Sequence, residues 1–188
     1  MQSLLISTTA VAIAEIGDKT QLLSLILAAK YRRPLPICLG ILIATLLNHA
    51  LAAGLGAVLA AWLTPGILKW IVAISFLAIG LWTLIPDTID DEALPAKRDA
   101  GVLLVTISAF FLAEMGDKTQ IATVVLAAQY SPLWQVIVGT TLGMLIADVP
   151  AVFVGDRFAA KIPMKLVHSI AAGIFAILGI ATLLGAGK

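Results

Sequence analysis

The sequence predicts an all-α integral membrane protein with six transmembrane helices, arranged as two inverted three-helix repeats. Three observations carry this. The 188 residues are 61% hydrophobic and 12% charged, with a mean hydropathy of +1.06, whereas soluble domains carry about 25% charged residues. Charge-free stretches recur at the length of a membrane span. One acidic motif occurs twice: Ala-Glu-Ile-Gly-Asp-Lys-Thr-Gln at 14–21 and Ala-Glu-Met-Gly-Asp-Lys-Thr-Gln at 113–120, an offset of 99 residues.

A span needs roughly 20 residues, and six fit the chain at about 3–29, 35–62, 67–86, 101–128, 133–155 and 165–186. The first is apolar apart from its motif. It lacks the basic leader of a signal peptide, so it reads as a retained helix. The second lies in the stretch from Arg33 to Lys69, which holds no other charged residue, and the third is bracketed by Lys69 and Asp87. The fourth carries the second motif, the fifth follows Pro132, and the sixth runs from Lys165 towards Lys188. The spans use nearly the whole chain and leave no soluble domain. The sole cysteine, Cys38, permits no intrachain disulfide or Cys-x-x-Cys metal clip and reads as a small apolar filler. A net charge of +1 gives no reason to expect a nucleic-acid partner.

The repeat extends past the motif. Eleven of eighteen positions are identical between 14–31 and 113–130, and the same offset pairs Gly40 with Gly139, Gly56 with Gly155, Phe76 with Phe175 and Gly80 with Gly179. Residues 1–89 therefore form one three-helix repeat and 100–188 the other, with a polar linker at 90–99. An odd number of spans per repeat inserts the second upside down, the plan of many secondary transporters. Eight basic residues fall in loops on one side (Lys30, Arg32, Arg33, Lys97, Arg98, Arg157, Lys161 and Lys165), against Lys69 and Lys188 on the other. The positive-inside rule then puts both termini outside the cytoplasm, and the linker within it. Tyr31, Trp62, Trp70, Tyr130 and Trp134 fall near helix ends, as an interfacial aromatic belt would.

In lipid each motif charge costs roughly 2.5–3.5 kcal/mol at the bilayer centre, so six would cost on the order of 15–20 kcal/mol. They are expected to converge inside the bundle. On a helix, Glu15 and Asp18 share a face, and Lys19 lies four residues from Glu15; the same holds for Glu114, Asp117 and Lys118. Four carboxylates against two charge-balancing lysines leave two negative charges, which one divalent cation would offset. Thr20, Thr119, Gln21 and Gln120 add neutral oxygens. This is a hard-ligand set suited to Mg²⁺, Ca²⁺ or Mn²⁺. Gly17 and Gly116 would let the two motif helices approach or open a backbone carbonyl. Salt bridges that merely fasten two helices are the simpler alternative, but two symmetric copies with excess negative charge disfavour it. Asn48 and His49 interrupt the second span. Asp148 is the offset-99 counterpart of His49, with Pro150 two residues on. His49 and Asp148 are candidate proton carriers or accessory groups.

The two Glu-x-Gly-Asp-Lys-Thr motifs, one per half, resemble the small cation–proton exchangers of Golgi, chloroplast and bacterial membranes, also called uncharacterised protein family 0016. The resemblance covers essentially the whole chain. It implies a transporter rather than an enzyme, with Glu15, Asp18, Glu114 and Asp117 as cation ligands. It implies no permanently bound cofactor, only transported Mn²⁺ and/or Ca²⁺ exchanged for protons. In bacteria it implies Mn²⁺ export across the inner membrane by a multi-pass protein. A homodimer is among the assemblies left open. The competing readings are a six-helix amino-acid exporter, a divalent-cation channel and, least favoured, an intramembrane aspartyl protease. In the last case the lysine after each aspartate would hold it ionised, which suits a shared-proton dyad poorly.

Overall fold

The computed structural model describes residues 1–85, 101–154 and 164–185. The linker at 90–99, Gly155, Lys97, Arg98, Arg157, Lys161 and Lys188 lie outside the described residues. All regular structure among the described residues is helical. The helices are α1 (Gln2–Glu15), α2 (Lys19–Tyr31), α3 (Pro34–Trp62), α4 (Pro65–Thr83), α5 (Val102–Glu114), α6 (Lys118–Gln129), α7 (Leu133–Val154) and α8 (Met164–Leu184). Four of them, α3, α4, α7 and α8, contain segments long and apolar enough to cross a membrane. Their outward faces are apolar, with Leu51, Leu81 and Ile177 among the exposed side chains, and Trp62, Trp70 and Trp134 stand exposed near helix ends.

The expected continuous helices 3–29 and 101–128 are each broken in two. Ile16 and Met115 are extended, both at φ −64°, ψ 118°. Gly17 and Gly116 then turn left-handed, at φ +85° and +76°. Asp18 and Asp117 are extended again and begin the next helix. A side chain at the left-handed position meets the following carbonyl, so glycine is the residue that permits this turn. Glu15 and Asp18 therefore do not share a helical face, and Lys19 is not one turn from Glu15 on a common helix. The break separates them. At 14 and 13 residues, α1 and α2 are about 20 Å long each, shorter than the hydrocarbon core of a bilayer.

Contacts between the halves are reciprocal. A methyl group on Gly40 would lie 3.2 Å from the Leu103 carbonyl and 2.6 Å from Thr106 Cβ; on Gly139 it would lie 2.7 Å from the Leu4 carbonyl and 2.9 Å from Ser7 Cβ. Leu103 and Thr106 stand 99 residues after Leu4 and Ser7, so α5 packs on α3 as α1 packs on α7. On α4 and α8 the counterparts Phe76 and Phe175 stack on each other, centroids 6.3 Å apart. Such exchange of equivalent contacts is the signature of a two-fold relation.

Two apolar clusters flank the breaks. One joins Ala10, Val11 and Ala14 of α1 to Ala122, Val125 and Leu126 of α6, closed over by Val72, Phe76 and Ile79 of α4 and Ala171, Phe175 and Leu178 of α8. The other joins Leu23 and Leu27 of α2 to Val105, Ala109 and Phe110 of α5, with Ile37 and Ile41 of α3. This arrangement departs from two-fold symmetry. α4 packs on α6 and α8 on α1, whereas α2 and α5 receive no comparable cover from α4 or α8.

Candidate cation site

Between the clusters the two breaks face each other and bring the motif charges together. Glu15 and Glu114 end α1 and α5 and are fully buried, and Asp18 and Asp117, which precede α2 and α6, are 1% and 2% exposed. Glu15 lies within electrostatic range of Glu114, Asp18, Asp148 and Asp117, and Glu114 within range of Asp117, Asp18 and Asp148. The expected convergence of the four motif acids is thus present.

The lysines cross between motifs. Lys19 Nζ is 2.7 Å from Asp117 Oδ1, and Lys118 Nζ pairs with Asp18 Oδ1. Each motif's ammonium therefore meets the other motif's aspartate, not the glutamate of its own motif. The pairs differ in setting: the Lys118 side chain is 1% exposed and that of Lys19 25%. With the lysines seated on the aspartates, no group of three His, Cys, Asp or Glu side chains among the described residues is arranged to hold a metal ion as it stands.

The neutral motif residues hold the acids and the turns. Thr20 Oγ1 donates to Glu15 Oε1. Thr119 Oγ1 lies 2.9 Å from Glu114 Oε2 and 3.2 Å from Asp117 Oδ2, so a single hydroxyl serves both carboxylates of its motif. The side-chain oxygens of Gln21 and Gln120, expected as neutral ligands, accept from the Gly17 and Gly116 backbone N–H groups at 3.0 and 2.8 Å.

Of the residues outside the motifs, Asp148 on α7 joins the cluster. It is fully buried, beside Ser24 and within electrostatic range of Asp18. It is a fifth carboxyl group at the site, beyond the four of the motifs. Asn48 on α3 is tied in through Gln120. His49 is fully buried next to it in sequence, and neither ring nitrogen has a hydrogen-bond partner among the described residues. Sequence reasoning did not find Ser24 or the crossing of the lysines. Ser24 offers no pattern, and the crossing depends on how two distant segments meet.

The profile of a family described as "Divalent cation/proton antiporter GDT1" matches this chain twice, over residues 3–91 and 102–188. A Vibrio cholerae protein named "Putative manganese exporter" is 55% identical over 183 residues, covering 97% of this chain and 90% of that protein. An Arabidopsis thaliana protein named "GDT1-like protein 5" is 29% identical over 214 residues, covering 92% and 91%. A GDT1-like protein of Synechocystis is 28% identical over 192 residues, covering 92% of each chain. No solved structure matches the chain. The two profile matches fall one on each half, each containing one broken helix and its acidic motif, and the chain belongs to the GDT1 family of divalent cation/proton antiporters.

Proposed function

We propose that the protein exports Mn²⁺ from the cytoplasm in exchange for protons, with Ca²⁺ as a second cargo. The observation that carries this reading is the crossed pairing of Lys19 with Asp117 and Lys118 with Asp18 beside the buried Glu15, Glu114 and Asp148. Carboxylate and hydroxyl oxygens suit a hard divalent cation, and the name of the Vibrio relative points to manganese.

The lysines and the cargo compete for the same aspartate oxygens. Mn²⁺ entering the site displaces the ammonium groups from Asp18 and Asp117 and draws Glu15 and Glu114 around it. When it leaves, the lysines return to Asp18 and Asp117, and protons offset part of the charge of the remaining carboxylates. The helix ends contribute too. α1 and α5 end at the site with carbonyls that favour a cation, the arrangement found where transporters break their helices. Protons compete by removing ligand charge.

In this reading α1–α2 and α5–α6 each form one broken span, which makes six spans in two inverted repeats. Both termini lie outside the cytoplasm of a bacterial inner membrane. α1 and α6 then occupy the outer half and α2 and α5 the cytoplasmic half. Cover of α1 and α6 by α4 and α8 closes the outer side, and the partly exposed Lys19 marks the way in from the cytoplasm. Rocking of one repeat against the other would exchange the two sides.

The test is uptake into inside-out vesicles under an imposed pH gradient, with Mn²⁺, Ca²⁺ and an amino-acid panel. Mn²⁺ is expected to accumulate when the lumen is acidic and to stop accumulating when the gradient collapses. Accumulation of an amino acid, or Mn²⁺ entry indifferent to the gradient, overturns the reading. The topology has its own test in a Cys38→Ala background: Arg32→Cys is expected to react with an impermeant thiol reagent from the cytoplasmic side and Trp62→Cys from the outside. Labelling of both from one side refutes the arrangement.

A further inference from the structure

A helix break strands backbone donors that the next turn would otherwise engage. Both breaks here meet this with a glutamine four residues beyond the glycine. Gln21 takes the Gly17 N–H on its oxygen and donates its amide to the Ala147 carbonyl on α7, 3.0 Å away. Gln120 takes the Gly116 N–H, but its amide donates to Asn48 Oδ1 on α3 at 3.1 Å. Asn48 and Ala147 stand at the same repeat position. Where the first latch ends on backbone, the second passes through a side chain and continues. Asn48 Nδ2 donates to the Phe111 carbonyl of α5 at 3.1 Å. Asn48, 1% exposed, thus clasps both halves of the second broken helix to α3: α6 through Gln120, and α5 one turn before Glu114.

We propose that Asn48 and Gln120 act as one positioning unit. By fixing the Gly116 turn, the unit sets where the Glu114 and Asp117 carboxylates stand, while Gln21 independently sets the Gly17 turn. This rests on the reading of the four motif acids as the cation site. Gln21 and Gln120 have both oxygen and amide engaged in holding the turns, which places them beside the ligands and not among them. The asymmetry ties both α6 and α5 to α3 through Asn48, whereas the Gln21 latch ties α2 alone to α7.

The test is a pair of double-substitution cycles on purified protein in proteoliposomes, with Mn²⁺ as the probe. Asn48→Ala and Gln120→Leu are each expected to raise the KM for Mn²⁺ about tenfold, the size of one or two lost hydrogen bonds, with maximal flux within about twofold of the starting protein. Combined, they should still raise KM about tenfold, because both cut one latch. Asn48→Ala combined with Gln21→Leu should multiply to about a hundredfold, because the latches are separate. Multiplication in the first pair, or a fall in maximal flux at unchanged KM, overturns the proposal. If Asn48→Ala fails to accumulate, Asn48→Ser carries the same expectations. A second readout separates this from the cation reading. Met115, which precedes the Gly116 turn, is 58% exposed. In a Cys38→Ala background, Met115→Cys is expected to react faster with a thiol reagent when Asn48→Ala is added and to be unaffected by Gln21→Leu. If unsubstituted protein moves no divalent cation, the cation reading fails, and this labelling alone decides whether the latch exists; unchanged labelling refutes it.

Discussion

Asp18→Asn and Asp117→Asn are both expected to reduce Mn²⁺-for-proton exchange to about 1% of the unsubstituted level or less, yet to differ sharply in their effect on stability. Loss of transport follows from removing one of the charged oxygens that the cargo must share with the lysines; a discrimination of this size corresponds to about 3 kcal/mol. The difference in stability follows from the crossed pairs. Lys118 is 1% exposed and pairs with Asp18, so Asp18→Asn strips a buried ammonium of its carboxylate, a change that costs about 3–5 kcal/mol. Lys19 is 25% exposed and can turn its ammonium towards water, so Asp117→Asn should cost about 1 kcal/mol or less. Adding Lys118→Gln to Asp18→Asn removes the stranded charge and should recover most of the stability but none of the transport. The measurements are thermal melting of the purified protein in detergent and exchange in proteoliposomes. Equal destabilisation by the two aspartate substitutions would show that the lysines do not cross. Transport restored in the double variant would show that Asp18 serves structure and not cargo.

The crossing also marks where sequence reasoning stops. Repetition of an eighteen-residue stretch, and of single residues beyond it, at one fixed offset is a property of the chain alone, and it correctly paired Phe76 with Phe175, whose rings stack, and Gly40 with Gly139, whose contacts are equivalent. The cost of charge in lipid correctly required Glu15, Asp18, Glu114 and Asp117 to converge. The break within each motif was legible in principle, because a glycine between two acids in an apolar helix is a weak point. Treating the motif as continuous helix nonetheless assigned Lys19 to Glu15. Hydropathy averages over a span and does not register three extended or left-handed residues inside it. Which lysine meets which aspartate depends on the approach of α2 and α6, and no local pattern encodes that. The hydrogen bonds from the Gly17 and Gly116 N–H groups to Gln21 and Gln120 were hidden for a related reason: without the break, those donors have helical partners and need no side chain. Asp148 was visible as a buried charge at the position of His49, but only packing places it beside Asp18 and leaves His49 outside the hydrogen-bonding network.

The affinity for Mn²⁺ is expected to fall as pH is lowered from neutral, by up to about tenfold per pH unit for each proton the cargo displaces. The sign follows from mass action at the site. Five carboxylates face two ammonium groups among Glu15, Asp18, Glu114, Asp117, Asp148, Lys19 and Lys118. When all are ionised this leaves three negative charges in excess, in surroundings that solvate charge poorly. Without a divalent cation, protons meet part of that excess. When Mn²⁺ binds it supplies two positive charges, and protons leave. Proton and cargo are thus linked with opposite sign: raising the proton concentration must weaken the cation by the same factor that the cation weakens the proton. Across a membrane, the same linkage drives cargo out as protons come in. The check is simultaneous recording of Mn²⁺ movement and lumenal pH in proteoliposomes, together with Mn²⁺ affinity measured over a range of pH. Lumenal acidification should accompany Mn²⁺ efflux and alkalinisation its uptake. A charge excess of three also predicts that one cargo ion leaves room for one retained proton, so fewer protons should be displaced than there are carboxylates. Replacing Asp148 by asparagine removes one of the five charges and should shallow the pH dependence of Mn²⁺ affinity while leaving Mn²⁺ transport measurable. Mn²⁺ flux that proceeds undiminished without opposing proton movement, and with an affinity indifferent to pH, would make the protein a channel or uniporter and end the antiport mechanism for this chain.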